Sequence, residues 1–342
     1  MSISEDQRTQ ESEKSPKAVV RQSGITSVVA TVGVFSGLLL DMAWTSVFGV
    51  GFASDAWVLA LRLPLAVTAV AMVVANQVLV PTFSAWESRL APRERARAIS
   101  AVIFGVTAFG LLIAALMTVF SYPLMASIGH GFADSPGKLE LASRMNQIIA
   151  WYIPCVLAAE ALRCWLNAKL VVGFPAAMTL VLNLVAVAMI LLGPNEHEEL
   201  VPLAYVAGSL VQVVAMAGMA LVKGWRPALP DFGHPEVRET TRLFSRPTAG
   251  AALNPVVRVL EVSVASTLPQ SSATILHFGT RLAAAVGGTI VFRSIMVTVL
   301  PRISRAFGRG DTAAFRSMTR LGMRMMFFLS VPMTILGVTL AP

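Results

Sequence analysis

Long apolar blocks separated by short polar segments set the pattern of this chain. VLALRLPLAVTAVAMVVANQVLV (58–80) and AMTLVLNLVAVAMILLG (177–193) are two of them. A bilayer core about 30 Å thick needs roughly 20 such residues in a helix. Backbone groups cannot be hydrated there, so the blocks are expected to be helical. Barrel strands would alternate apolar and polar positions with period two, and these blocks do not. The pattern predicts about nine spans, at 24–48, 56–80, 98–121, 146–168, 171–193, 201–222, 247–268, 272–300 and 317–340. The expected class is an all-α integral membrane protein. Residues 1–23 are polar and mixed in charge, without the basic-then-apolar order of a cleaved signal, and read as a disordered cytoplasmic tail.

Composition supports this reading. Hydrophobic residues make up 55% of the 342 positions and charged ones 13%, about half the charge of a soluble domain. The net charge of +8 could suggest nucleic acid, but its distribution predicts no such partner. Basic residues collect in alternate connections. One set holds Arg8, Lys14, Lys17 and Arg21, then Arg89, Arg93, Arg95 and Arg97. Lys169, then Lys223, Arg226, Arg238 and Arg242, and then Arg302, Arg305, Arg309 and Arg316 continue it. The intervening connections are poor in bases: GVGFAS (49–54) and LPQSS (268–272) have none, and the loop before span four has Lys138 and Arg144. The asymmetry predicts an inner-membrane protein with a cytoplasmic N-terminus. The chain stops at Ala341-Pro342 directly after a span, which reads as a fragment of something longer.

An internal repeat organises the spans. The stretch from Asp55 to Ser100 resembles that from Thr274 to Arg320: Arg62-Leu63 corresponds to Arg281-Leu282, Val80-Pro81 to Leu300-Pro301, and Ser84 to Ser304. Span two thus repeats as span eight, a period of six helices. Repeats of this kind predict two pseudo-symmetric lobes around a substrate path. The expected organisation is a six-helix lobe over 24–225, a cytoplasmic linker over 226–246, and the first three helices of a second lobe over 247–342.

Four segments, in order along the chain, resemble the MurJ/MviN family of lipid II flippases. They are VFGVGFASDAWVLALRLP (47–64), GFADSPGKLELA (131–142), WLNAKLVVGFPAAMTLVLN (165–183), and HFGTRL (277–282) with VTVLPRISRAF (297–307). The resemblance implies the two-lobe flippase fold of the multidrug/oligosaccharidyl-lipid/polysaccharide (MOP) exporter superfamily, here with an incomplete second lobe. It also implies a lipid-linked diphosphate glycan substrate resembling lipid II, contact with membrane lipids, and cell-wall synthesis proteins as further partners. The chain departs from the family pattern where cavity arginines are usual. Val34 and Leu40 stand at those positions in the first helix, and Thr68 and Ala69 stand near a basic pair usual in the second.

Charge inside a membrane costs about 2.5–3.5 kcal/mol on insertion scales, so each instance needs a reason. Arg281 and its repeat mate Arg62 are the candidate substrate-binding residues, because a guanidinium fork matches diphosphate oxygens. A structural ion pair is the alternative for each, with Asp55 available to Arg62. Asp41 and Asp55 are candidates for gating or ion coupling, although Asp55 also suits a helix start. Arg258 and Glu261 are three apart, as are Glu160 and Arg163, so each pair shares a helix face and neutralises itself locally. Gating or coupling remains the second reading for Arg258 and Glu261. Cys155 and Cys164 are nine positions apart in one span, on opposite faces, and read as packing residues. His130, His197, His234 and His277 are scattered, and no catalytic constellation, metal site or cofactor motif is expected. The sequence therefore predicts alternating-access flipping of lipid II. Flipping of another lipid-linked glycan, cation-coupled drug export, and a non-transporting scaffold in cell-wall assembly are the alternatives.

Overall fold

In a computed structural model of the chain, the described residues are 32–33, 35–135, 137–194, 197–285 and 311–340. Among them every regular element is helical. Helix α1 runs Phe35–Phe48, and α2, α3 and α4 span Phe52–Arg89, Pro92–Val119 and Ser121–Ile128. A 3-10 turn, His130–Phe132, leads to α5 (Lys138–Ile149) and α6 (Tyr152–Ala168). Then come α7 (Gly173–Leu192), α8 (Leu200–Val222), the short α9 (Pro235–Leu243) and α10 (Ser245–Ala265). Helices α11 (Ser272–Ala283) and α12 (Thr312–Leu340) complete the described residues. The chain falls into two compact units, Met1–Leu276 and His277–Pro342.

Five helical spans among the described residues are long and apolar enough to cross a bilayer: α2, α3, α5 with α6, α7 and α8. The count of nine is therefore not reached by that criterion. Helix α1 is shorter in its described part, and α10 contains two prolines and three charged residues among its 21. Helix α12 carries Arg316, Arg320 and Arg324, which lower its hydropathy. The rest of the eighth predicted span lies outside the described residues, as do the predicted tail over 1–23, Val34 and the segment 297–307.

Helices α5 and α6 form the centre of the first unit. In their most apolar window 72% of residues are buried, against 39–50% in the other four spans, which turn broad faces outward. Those outward faces carry Phe109, Leu112, Leu203, Leu210 and Val214, a composition suited to lipid. Toward the arginine-rich end, Leu79, Phe83 and Trp86 of α2 pack with Ile99 and Ile103 of α3 and with Leu162 and Trp165 of α6. Glu87 fastens the same end by accepting from both Lys169 at 2.7 Å and Arg95 at 3.1 Å. The first joins the turn after α6 to the end of α2, and the second joins the start of α3.

A proline inside α2 explains one buried polar contact. Pro64 has no N–H to offer the carbonyl four residues earlier, that of Ala60. Asn146 of α5, fully buried, donates its side-chain amide to this carbonyl at 2.9 Å. No water in a bilayer core could do the same. Asn146→Leu is therefore expected to cost about 1–3 kcal/mol, the price of a buried unsatisfied carbonyl. The companion variant Pro64→Ala restores an N–H to Ala60 and should recover most of that loss. Unfolding in detergent micelles checks both, and equal losses with and without Pro64→Ala would refute the account.

Candidate functional site

The most concentrated polar site in the first unit lies at the base-poor end and is built around Asp55. This residue occupies the first turn of α2 and is 1% exposed. Its carboxylate accepts from Lys138 Nζ at 3.0 Å, from the Ser271 N–H at 2.8 Å and from the Thr274 N–H at 3.1 Å. The Thr274 hydroxyl donates to it at 2.7 Å and lies 3.1 Å from the Ser54 hydroxyl. Ser271 and Thr274 form the start of α11, whose first N–H groups have no intrahelical acceptors. A carboxylate from another helix thus serves as the N-terminal cap of α11, where the helix dipole favours negative charge.

The two helix starts are the positions that the predicted repeat aligns. Asp55 and Thr274 are separated by 219 positions, and they touch. Lys138, at the start of α5, neutralises the carboxylate from the other side and is itself 2% exposed. Its ammonium sits 4.2 Å from the centre of the Phe132 ring and 5.6 Å from that of Phe52, so two aromatic faces share its charge. Three elements distant in sequence are joined here through one carboxylate.

The other sequence candidates are distributed as follows. Asp41 is buried in α1 and accepts the Trp44 indole N–H at 3.2 Å. Arg62 is buried in α2, two turns past Asp55. Arg281 lies in the last turn of the described part of α11 and is exposed. Arg62 belongs to the first compact unit and Arg281 to the second. Arg258 and Glu261 pair with each other on an exposed face of α10 at 2.9 Å. Glu160 accepts two bonds from Arg163 and one from Asn76 of α2 at 3.2 Å. Both i,i+3 pairs thus neutralise themselves as their spacing predicts. The two cysteines are free.

Sequence reasoning placed Asp55 but missed Lys138, Ser271 and Thr274. In the sequence Lys138 reads only as a loop charge. Its signal was position: a lysine on the side otherwise poor in bases calls for a local carboxylate. Thr274 stood opposite Asp55 in the repeat, but correspondence in a repeat does not imply contact.

At the arginine-rich end, a cavity of about 620 Å³ lies between α2, α9 and the start of α10. Its lining includes Gln77, Thr82, Arg89, Glu236 and Glu239. Trp86 donates its indole N–H to Glu236 at 3.0 Å, which docks the amphipathic α9 on α2. His234 caps α9 by accepting the Glu236 N–H at 3.3 Å.

Several solved structures of transporters resemble this chain in fold. A lipid II flippase MurJ in an inward closed conformation aligns with a TM-score of 0.74 at 18% identity, over 90% of this chain and 63% of that one. A MATE transporter in complex with MaD3S aligns at 0.63 and 15% identity, over 94% and 72%. An inward-facing multidrug resistance MATE family transporter of the MOP superfamily aligns at 0.62 and 14%, over 90% and 72%. The fold is thus that of a multi-pass helical membrane transporter of the MOP type. The family described as lipid II flippase MurJ matches residues 44–342, and the chain belongs to that family. Its members are flippases rather than enzymes. The chain spans about 63% of the length of the MurJ structure it matches.

Removing either partner of the buried pair leaves an uncompensated charge. Asp55→Ala and Lys138→Ala are each expected to cost about 3–5 kcal/mol. The double variant should cost clearly less than the sum, because no charge is then stranded. A double-mutant cycle on unfolding in detergent checks this, and strict additivity would contradict the pairing.

Proposed function

We propose that this chain acts in flipping lipid II from the cytoplasmic to the outer leaflet of the inner membrane by alternating access. The base-poor end faces outward in this reading, because the positive-inside rule assigns the arginine-rich end to the cytoplasm. The observation that carries the proposal is the Asp55 cluster, in which one repeat holds the starting turn of its mate. Such a seal is reversible. Lys138, the carboxylate and the α11 N–H groups all regain hydration when they separate, and a buried ion pair exchanges against water at near break-even. A seal of interdigitated apolar side chains would lose its whole burial energy on opening.

Arg62 and Arg281 are the residues proposed to hold the diphosphate, one from each repeat. Asp55 gates the outer face through Lys138 and Thr274. Asp41 is placed beside Trp44 in α1, where it can assist gating or cation coupling, and the Arg258–Glu261 pair is kept as a secondary coupling element. The lipid tail stays in the bilayer during transfer, and proteins of cell-wall synthesis are the expected neighbours. The chain itself carries out no covalent chemistry.

A second reading, flipping of a different lipid-linked glycan, is favoured by one observation. Thr68, near the place of a basic pair in the family, turns its hydroxyl back to the Pro64 carbonyl at 2.9 Å. It offers no charge to a diphosphate. The two readings separate in a bacterium depleted of its own flippase, where an external enzyme cleaves only lipid II that has reached the outer leaflet. Expression of this chain is expected to restore cleavage, and Arg62→Ala or Arg281→Ala to reduce it by about tenfold or more, the scale of one charge-assisted hydrogen bond. A folded, membrane-inserted protein that restores no cleavage would overturn the lipid II reading.

A further inference from the structure

We propose that Gly131 is the residue that permits the outer face to close, and that the loop it occupies is a latch seated on the end of α10. This inference rests on alternating access, with the base-poor end outward. Gly131 donates its N–H to the Ser266 hydroxyl at 3.2 Å. That hydroxyl spends its own hydrogen on the Ser263 carbonyl at 2.7 Å, so an oxygen lone pair is left for Gly131. One residue earlier, the His130 ring nitrogen lies 3.4 Å from the Ser263 hydroxyl. The loop and the end of α10 are 135 positions apart in sequence, so the contact is wholly tertiary.

Space, rather than backbone conformation, requires the glycine. Gly131 has no left-handed φ, unlike Gly137 in the same loop at +83°. A Cβ at position 131 would stand 2.3 Å from the Ser266 carbonyl oxygen, 2.4 Å from its carbon and 2.5 Å from the Thr267 nitrogen. All three are backbone atoms, so no rotamer change relieves the overlap. At Gly137 the nearest atom to a Cβ is 3.9 Å away, at the far end of Phe52.

The latch and the Asp55 cluster share one piece of chain. Phe132 follows Gly131 and is buried against the Lys138 ammonium, which binds Asp55. Lifting the loop from α10 therefore pulls on the counter-ion of the gate. A side chain at 131 penalises only the state in which loop and α10 meet. It leaves an outward-open state untouched, so it shifts the population toward that state.

The test uses the full chain with Ala273→Cys as a reporter. Ala273 is small, 1% exposed and adjacent to the Asp55 cluster, so a thiol there is shielded while the outer face is closed. Cys155→Ala and Cys164→Ala remove the native thiols. A membrane-impermeant maleimide applied from outside is expected to label Gly131→Val at least about tenfold faster than the Gly131 parent, the scale of one overpacked contact. Gly131→Ala is expected to give the same direction with a smaller factor.

Equal labelling in folded Gly131 and Gly131→Val proteins would overturn the proposal. So would failure of both variants to fold, since the contact would then be a permanent part of the fold. The readout involves no lipid II. A chain whose outer face opens in Gly131→Val yet restores no lipid II cleavage as Gly131 would overturn the flippase reading and leave the latch standing.

Discussion

A single buried carboxylate ties three distant parts of this protein together. Asp55 lies at the start of α2, binds the first N–H groups of α11, and is neutralised by Lys138. Each contact has a physical reason to need the others. The helix start offers unpaired N–H groups and a positive dipole end, but an aspartate alone would leave a net charge with little access to water. Lys138 supplies the balance, and Phe132 and Phe52 shield the ammonium without competing for its hydrogen bonds. The result is a firm contact whose components are all soluble when parted.

The remainder of the first unit follows the rule that a bilayer leaves no backbone group to water. Proline inside α2 frees a carbonyl, and Asn146 returns a hydrogen bond to it from the central helix pair. Asn183 of α7 similarly donates to Ser36 of α1 at 2.8 Å. Glu160 is buried but carries its own counter-ion one turn away. Polar contacts inside the helix bundle thus position helices where apolar packing against lipid-like neighbours has little preference. Lipid-facing surfaces carry leucine, valine and phenylalanine, and need no partner.

Much of the site could be read in the sequence, though unevenly. Asp55 stands out because a carboxylate at the edge of an apolar span needs an explanation, with gating or coupling and a simple helix start as equal readings. The carboxylate accepts from Lys138, 83 positions away, and from the start of α11. Arg62 and Arg281 are equally visible in the sequence as cations within apolar blocks. Gly131 lies within a segment that resembles the family, yet nothing in GFADSPGKLELA says that its missing side chain faces another backbone.

The sequence by itself determined the membrane class, the all-helical architecture and the family. These rest on local properties: hydropathy over about 20 residues, helical spacing, and order of motifs. It also determined the i,i+3 ion pairs, since one helical turn fixes which side chains meet. Tertiary structure alone decided that the starts of α2 and α11 touch at Asp55 and Thr274, that Lys138 is a buried counter-ion, and that Gly131 meets the end of α10. Those contacts join residues 83 to 219 positions apart. No periodicity reaches that far, and only the packing of whole helices brings such groups within hydrogen-bond distance.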